Sequence, residues 1–267
     1  MTGNLITDVA GLRVGSAHDA RLASGVTAVI FDEPVIASIA MNGGAPALRD
    51  TALLEPEMTV ERVDGFILSG GSAFGLDAAG GAMAFLASIG RGFPIRGARV
   101  PIVPGASLFD LLNGGDKDWG RFPPYWELGH AAAADALTAP ADFALGTEGA
   151  GFGDSTYDLK SGLGSTSAVT SRGFRVGALV VCNSVGSATR GLTQHFWAAP
   201  YERAGEFGGR GLGPDDIDAA LVMRLKSDLP ANTDLAIVAT DARLTTRIAA
   251  IFRVPAMARP HASCTIA

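Results

Sequence analysis

Residues able to carry out covalent chemistry are sparse in this chain, and the most suggestive is Thr233, in the run ANTDLAIVATDARL from Ala231 to Leu244. The polar turn Asn232-Thr233-Asp234 leads directly into Leu235-Ala236-Ile237-Val238-Ala239, which reads as a strand buried on both faces. A threonine at the mouth of a strand is ordinarily a turn or strand-start residue. It acquires a second meaning if the Asn232–Thr233 bond is cut, because Thr233 then carries a free α-amine beside its own hydroxyl. Such an amine has a reference pKa of about 8, against about 10.4 for a lysine side chain. Nucleophile and base would share one residue, and a rigid strand would hold the pair in place.

Other polar positions fit around that possibility. In VVCNSVGS, Asn183 follows the continuous apolar run Gly177–Cys182. An asparagine there either closes a turn with its own side chain or donates its amide to a developing oxyanion. Lys160 precedes SGLGSTSAV, a stretch of glycines and hydroxyls without neighbouring charges. The turn LSGGSAFG, Leu68–Gly75, meets neither the GxGxxG nor the GxSxG spacing, and no Walker lysine follows it. It reads as a tight turn with close helix packing, or as one wall of a pocket. Four scattered histidines show no HExxH spacing and the two cysteines, Cys182 and Cys264, no CxxC pair. No metal and no cofactor are expected.

These residues need a folded scaffold, and the composition supplies one. Of the 267 residues 48% are hydrophobic and 18% charged, which suits a globular core and a single domain over 1–267. The 35 glycines show no three-residue period and mark turns or close backbone approaches. A net charge of −6 without any basic run argues against nucleic acid or an anionic membrane as partner. No apolar run reaches the roughly eighteen residues of a membrane span. The opening MTGNLITDVAGLRVGSAHDA has no basic start with an apolar core, so no signal peptide is expected and a cytoplasmic location is. Strands are expected at Gly25–Phe31, at Val35–Met41 as its neighbour, and at Gly65–Ser69, Gly177–Cys182 and Leu235–Thr240. A helix is expected from the glycine turn through Leu86, and another from Pro214. Asn113–Tyr125 and Phe196–Gly213 read as long surface loops. Strand and helix alternate as in a parallel sheet, but the loops and glycines suit an α+β sandwich equally well.

A set of segments occurs in a fixed order: ITDVAGLRVGSAHD, GVTAVIF, NGGAPALRDTALLEP, FILSGGSAFGLDAAGGAM, GRGFPI, VPIVPGASLFDL, KSGLGSTSA, VGALVVCNSVG and NTDLAIVATDARL. Over most of residues 5–244 this set resembles the DmpA-type aminopeptidase family, which includes β-peptidyl aminopeptidases and nylon-oligomer endohydrolases. The resemblance implies an αββα sandwich of the DmpA/ornithine-acetyltransferase type, made as a precursor that cleaves itself before a serine or threonine. On that basis Thr233 matches the nucleophile, Asn232 the last residue of an α-chain 1–232, and residues 233–267 a β-chain. Asn183 matches the oxyanion-stabilising asparagine and Lys160 a lysine near the nucleophile. Phe74 falls at a substrate-pocket position where some members have tyrosine, so a hydroxyl there is not expected. Beyond Leu244 the family's acidic segment, resembling RPxHTxxDGDTxFAxxT, has no counterpart in IAAIFRVPAMARPHASCTIA, and Pro255 interrupts the helical pattern. Reduced activity is therefore expected of this chain.

The resulting expectation is a self-processing N-terminal-threonine amidohydrolase, a homo-oligomer acting on small peptides or linear amides. Two other readings use the same residues. One is an acyltransferase similar to ornithine acetyltransferase, told apart by transfer to an added amine. The other is an inactive homologue serving as a binding or oligomeric protein, told apart by an uncut chain.

Overall fold

The computed structural model describes residues 3–213, 225–226 and 233–244. In chain order its elements are β1 (Leu12–Asp19), β2 (Ser24–Ile36), β3 (Ala47–Arg49), β4 (Arg62–Ser69) and α1 (Asp77–Ser88). A hairpin of β5 (Phe93–Ile95) and β6 (Ala98–Val100) follows, then β7 (Gly105–Ser107) and α2 (Tyr125–Thr138). The last three strands are β8 (Leu163–Val169), β9 (Arg175–Val181) and β10 (Leu235–Thr240). β1, β2, β4, β7 and β3 form a five-stranded sheet in that order, and β10, β9 and β8 a three-stranded one. In the larger sheet only β4 and β7 run parallel; the smaller sheet is antiparallel throughout. The alternation of strands and helices therefore does not yield a parallel sheet, and the α+β expectation holds.

Period-two patterning explains how the layers stack. Along β2, Val26, Ala28 and Ile30 pack against α1 and α2, through Ala78, Ala79, Ala82, Leu86, Ala132, Ala133 and Ala136. The alternate residues Val29 and Phe31 face the other way. There they meet Leu163 of β8, Leu179 and Val181 of β9, and Leu235 and Ile237 of β10. The described residues thus build a helix layer, a five-stranded sheet and a three-stranded sheet. The helix expected from Pro214 lies outside the described residues apart from Leu225, as does Pro255. No helix among the described residues is long and apolar enough to cross a membrane.

Two expectations need correction. Val35–Met41 is not a neighbouring strand: Val35 and Ile36 continue β2 beyond a register shift between Ile30 and Val35. Pro34, which has no N–H to give a ladder, sits in that irregularity. β10 is an edge strand, paired among the described residues with β9 alone. Leu235, Ala236 and Ile237 are buried, but Val238 is 53% exposed, so the apolar run is covered on both faces only in its first half. α2 is not among the expected elements, since no apolar stripe announces it: apart from Tyr125, its buried residues are Gly129, Ala132, Ala133 and Ala136.

Small residues on that face let the two helices meet backbone to backbone. A Cβ at Gly81 would lie 1.8 Å from the Trp126 carbonyl oxygen, and one at Gly129 2.0 Å from that of Ala78. Neither atom can yield without moving a helix. At Gly80 the nearest atoms would be the Arg49 guanidinium and the half-exposed Trp126 indole, each at 3.3 Å, side chains and not backbone. Gly81→Ala and Gly129→Ala should each destabilise the protein by about 1–3 kcal/mol through overpacking. Gly80→Ala should be neutral or stabilising by up to about 1 kcal/mol, as helix propensity favours. Denaturant midpoints for the three variants check this, and equal shifts would contradict it.

Candidate active site

The smaller sheet gathers the candidate residues at one end. β10 pairs with β9 so that Leu235 stands opposite Val181, where the ladder ends; continued by two residues, the same register would bring Thr233 level with Asn183. On the other side of β9, Leu163 also stands opposite Val181, so the chain entering β8 from Lys160 and Ser161 flanks Asn183 too. The Cys182 N–H donates to the Gly162 carbonyl at 3.3 Å, which carries the pairing toward that end. A single residue then pins the loose strand ends. The Asp234 carboxylate accepts the Asn183 N–H at 2.7 Å and the Ser184 hydroxyl at 2.5 Å. Thr233 is half-buried next to that clamp.

Asn183 also ties this end to the larger sheet. Its side chain is 2% exposed, and its Nδ2 donates to the Phe109 carbonyl at 2.8 Å. Phe109 follows β7 and precedes Asp110, whose carboxylate accepts the Ser24 hydroxyl at 2.6 Å and the Gly71 N–H at 2.7 Å. The Tyr125 hydroxyl donates to Ser24 Oγ at 3.1 Å. Here the glycine turn finds its explanation. Gly71 has φ +84°, a conformation glycine adopts without strain, and a Cβ there would lie 2.2 Å from the Tyr125 ring. At Gly70 a Cβ would lie 2.2 Å from Asp110 Oδ2. The Ser72 N–H is given to the Leu108 carbonyl at 2.8 Å. The Gly70 N–H is likewise given to the Gly25 carbonyl at 2.9 Å, so three successive amides of the turn are committed internally and the segment serves as a close-packed wall.

The remaining sequence candidates are placed as follows. Phe74 lies on the short helix Ser72–Leu76 after that turn, 48% exposed, with its ring edge-to-face on Trp119 at 5.3 Å. Lys160 is exposed, and its ammonium stands 5.0 Å from the centre of the Phe152 ring, which stacks on His18 at 4.2 Å. The Lys160 backbone is therefore at the site's end of the sheet, while its side chain points to an aromatic ring. Asn232 lies outside the described residues, so only the Thr233 side of the candidate cleavage bond is described.

Three residues join the site that sequence reasoning did not single out. Lys226 Nζ donates to Asn183 Oδ1 at 2.6 Å and to the Asn183 carbonyl at 3.3 Å. Nothing in its sequence surroundings, RLKSD, marks it. Asp234 sits in the quoted NTDL turn and could have been suspected from its adjacency to Thr233. Asp154, in GFGDST, is 1% exposed, and neither carboxylate oxygen has a hydrogen-bond partner among the described residues.

The electrostatics follow from burial. Burial pushes the Asp154 carboxyl well above the usual carboxylate range; Asp110 and Asp234 reinforce the shift and Lys226 opposes it. Asp110 is raised by burial as well, against its Ser24 and Gly71 hydrogen bonds. Burial lowers the Lys226 amine, with Asp154 first among the groups that oppose this. It raises the Tyr125 hydroxyl, aided by the Asp110 charge. The described residues contain no group of three or more His, Cys, Asp or Glu able to hold a metal ion.

Asp154 makes a stability prediction whose sign is fixed. Its folded-state pKa lies above its unfolded value, so the folded chain holds a proton that the unfolded chain releases first. Stability contributed by the protonated form is complete below the ordinary value of 3.8 and is lost as pH rises through the raised one. Asp154→Asn, which stays neutral, should therefore gain on the native protein as pH rises above about 4. Thermal unfolding from pH 4 to 8 checks this; a melting-temperature difference that does not grow with pH would contradict it.

Comparison with known proteins places this geometry in a family. The model of Peptidase family S58 matches residues 4–258. An uncharacterized aminopeptidase of Mycobacterium leprae (strain TN) is 41% identical over 252 residues, covering 90% of this chain and 68% of that protein. One from Mycobacterium tuberculosis (strain ATCC 25618 / H37Rv) is 39% identical over 254 residues, covering 90% and 71%. Among solved structures, the L-aminopeptidase D-Ala-esterase/amidase from Ochrobactrum anthropi, described as a variant of the Ntn hydrolase fold, superposes with a TM-score of 0.60. It is 20% identical, with 93% of this chain and 66% of that one covered. A β-aminopeptidase from Burkholderia sp. gives a TM-score of 0.58 at 20% identity, with 91% and 63% covered. The chain thus spans 63–66% of these two solved proteins. The layered sheets are an Ntn-hydrolase-like α+β sandwich, and the chain belongs to peptidase family S58.

Proposed function

We propose that this chain is a self-processing N-terminal-threonine amidohydrolase acting on small peptides or linear amides with a free amino terminus. The observation that supports the reading is the antiparallel pairing of β10 with β9, whose adjoining ends carry Thr233 and Asn183 and are joined by the Asp234 carboxylate. Family membership, and the aminopeptidase names of the relatives, support it.

In this reading water is consumed to break the Asn232–Thr233 amide, and the amide nitrogen of Thr233 becomes an α-amine. Thr233 Oγ attacks the substrate carbonyl while that amine takes the hydroxyl proton. Negative charge develops on the carbonyl oxygen, and Asn183 Nδ2 donates to it. The amide Nδ2 carries two hydrogens, and Phe109 uses one, so a second is available. The leaving amine departs with the proton, an ester to Thr233 remains, and water hydrolyses it. Lys160 acts near the nucleophile after leaving the Phe152 ring, and Phe74 lines the acyl pocket with an apolar surface.

Mass spectrometry of the purified chain should show one fragment ending at Asn232 and one beginning at Thr233, and neither in Thr233→Ala. A cut at a different bond would remove the assignment. Asn183→Ala should lower turnover of a dipeptide amide by about 10²–10³, the usual loss for one oxyanion donor. Lys160→Met should slow processing or turnover with the fold intact. Wild-type rates in both soluble variants would leave the two residues without a catalytic part.

A further inference from the structure

Lys226 is not among the residues that the proposed chemistry uses, yet it makes the shortest hydrogen bond to the Asn183 side chain, 2.6 Å to Oδ1. Its own N–H donates to the Val185 carbonyl at 2.7 Å, so its backbone is held against the turn that carries Asn183. The same ammonium reaches the Asn183 carbonyl at 3.3 Å. Asn183 is therefore gripped at four atoms: N by Asp234, O and Oδ1 by Lys226, and Nδ2 by Phe109.

The consequence for the amide is geometric. With Oδ1 on an ammonium and Nδ2 on a carbonyl, both contacts join a donor to an acceptor. Rotating the amide by half a turn would set NH₂ against NH₃⁺ and oxygen against the Phe109 carbonyl. Both contacts would then be repulsive, and inside a buried site such losses are large. Phe109 alone fixes one end of the amide; Lys226 makes the choice two-sided. A charged donor on Oδ1 also draws electron density from the amide and sharpens the N–H dipole at Nδ2.

Asp154, itself buried, opposes the loss of the Lys226 proton only when ionised, and its oxygens have no hydrogen-bond partner among the described residues. The two make no direct ion pair of 4 Å or less, so the N–H donors of Lys226 are left to Asn183 and neighbouring groups.

We propose that Lys226 is a positioning residue: it holds the Asn183 amide in the one orientation that turns an Nδ2–H outward as oxyanion donor. This rests on the reading of Asn183 as that donor, so the test separates the two. It has a spectroscopic part that needs no activity. In the whole chain labelled with ¹⁵N-asparagine, the Nδ2 proton pair of Asn183 is assigned by its loss in Asn183→Ala. In Lys226→Met that pair should shift and exchange with solvent at least about tenfold faster, as a lost charge-assisted bond of somewhat over 1.4 kcal/mol implies. Lys226→Arg should restore most of the protection. An unchanged pair in Lys226→Met overturns the proposal, whatever the enzyme does. Should the Met variant fail to fold, Lys226→Gln, which can still donate to Oδ1, takes its place and should show an intermediate exchange rate; native exchange there overturns it as well.

The kinetic part uses a dipeptide amide. Lys226→Met should lower kcat about 10- to 10²-fold, the scale of a small misplacement of a reacting group, with KM changed less than kcat. The double variant Lys226→Met/Asn183→Ala should be no slower than Asn183→Ala alone, because both act at one point. Full additivity would show that Lys226 works elsewhere and overturns the inference. A wild-type rate in Asn183→Ala would instead remove the oxyanion reading, while the exchange data would still decide whether Lys226 orients the amide.

Discussion

Two sheets can share an apolar core only where the polar ends of their strands are satisfied at the seam, and here one asparagine meets most of that demand. Asn183 closes β9, receives β10 through Asp234, and crosses to the larger sheet through Phe109. Each bond is modest by itself, about 1 kcal/mol net for a neutral pair. Leaving any of these buried groups unpartnered would cost more than the bond contributes. The position is therefore determined from three directions, and the side chain has little freedom. Rigidity of this kind is what an oxyanion donor needs, since it must be in place before charge develops.

Behind the seam the larger sheet rests on helices that touch through glycine and alanine. Gly81 and Gly129 bring α1 and α2 to backbone contact, and Gly15 brings β1 as close to α2: its Cβ would lie 2.1 Å from the Ala136 nitrogen. The glycine turn after β4 sits at the top of α1, wedged between Tyr125 and Asp110. A chain so rich in glycine is often flexible, but these glycines act in the opposite sense. They remove side chains so that backbones, which hardly deform, bear on each other.

Much of this was legible in the sequence because it was written in periodicity. The strands at Ser24–Ile36, Arg62–Ser69, Arg175–Val181 and Leu235–Thr240 carry β-branched apolar runs long enough to announce themselves. So did the helix after the glycine turn. α2 escaped because alanine gives no amphipathic contrast, and β8 because its inward residues after Leu163 are serines, not large apolar groups. Thr233 and Asn183 were legible as residues at strand ends, and they come to one end of the smaller sheet because β9 and β10 are antiparallel neighbours. Lys226 and Asp154 were not legible. A lysine in a charged stretch and an aspartate among glycines look like surface residues, and only the third dimension sets the lysine on an asparagine far away in sequence and buries the aspartate.

The segment between Lys226 and Thr233 starts and finishes at that same asparagine. Its upstream end is fastened by the lysine and its downstream end enters β10 beside Asp234. A break anywhere between these points frees one end only. The upstream piece would stay fastened through Lys226, and tethering of that kind keeps a new terminus at a raised local concentration. Bond scission and departure of the new terminus are then separate events with separate rate constants, and a freshly cut molecule differs from one whose tail has let go.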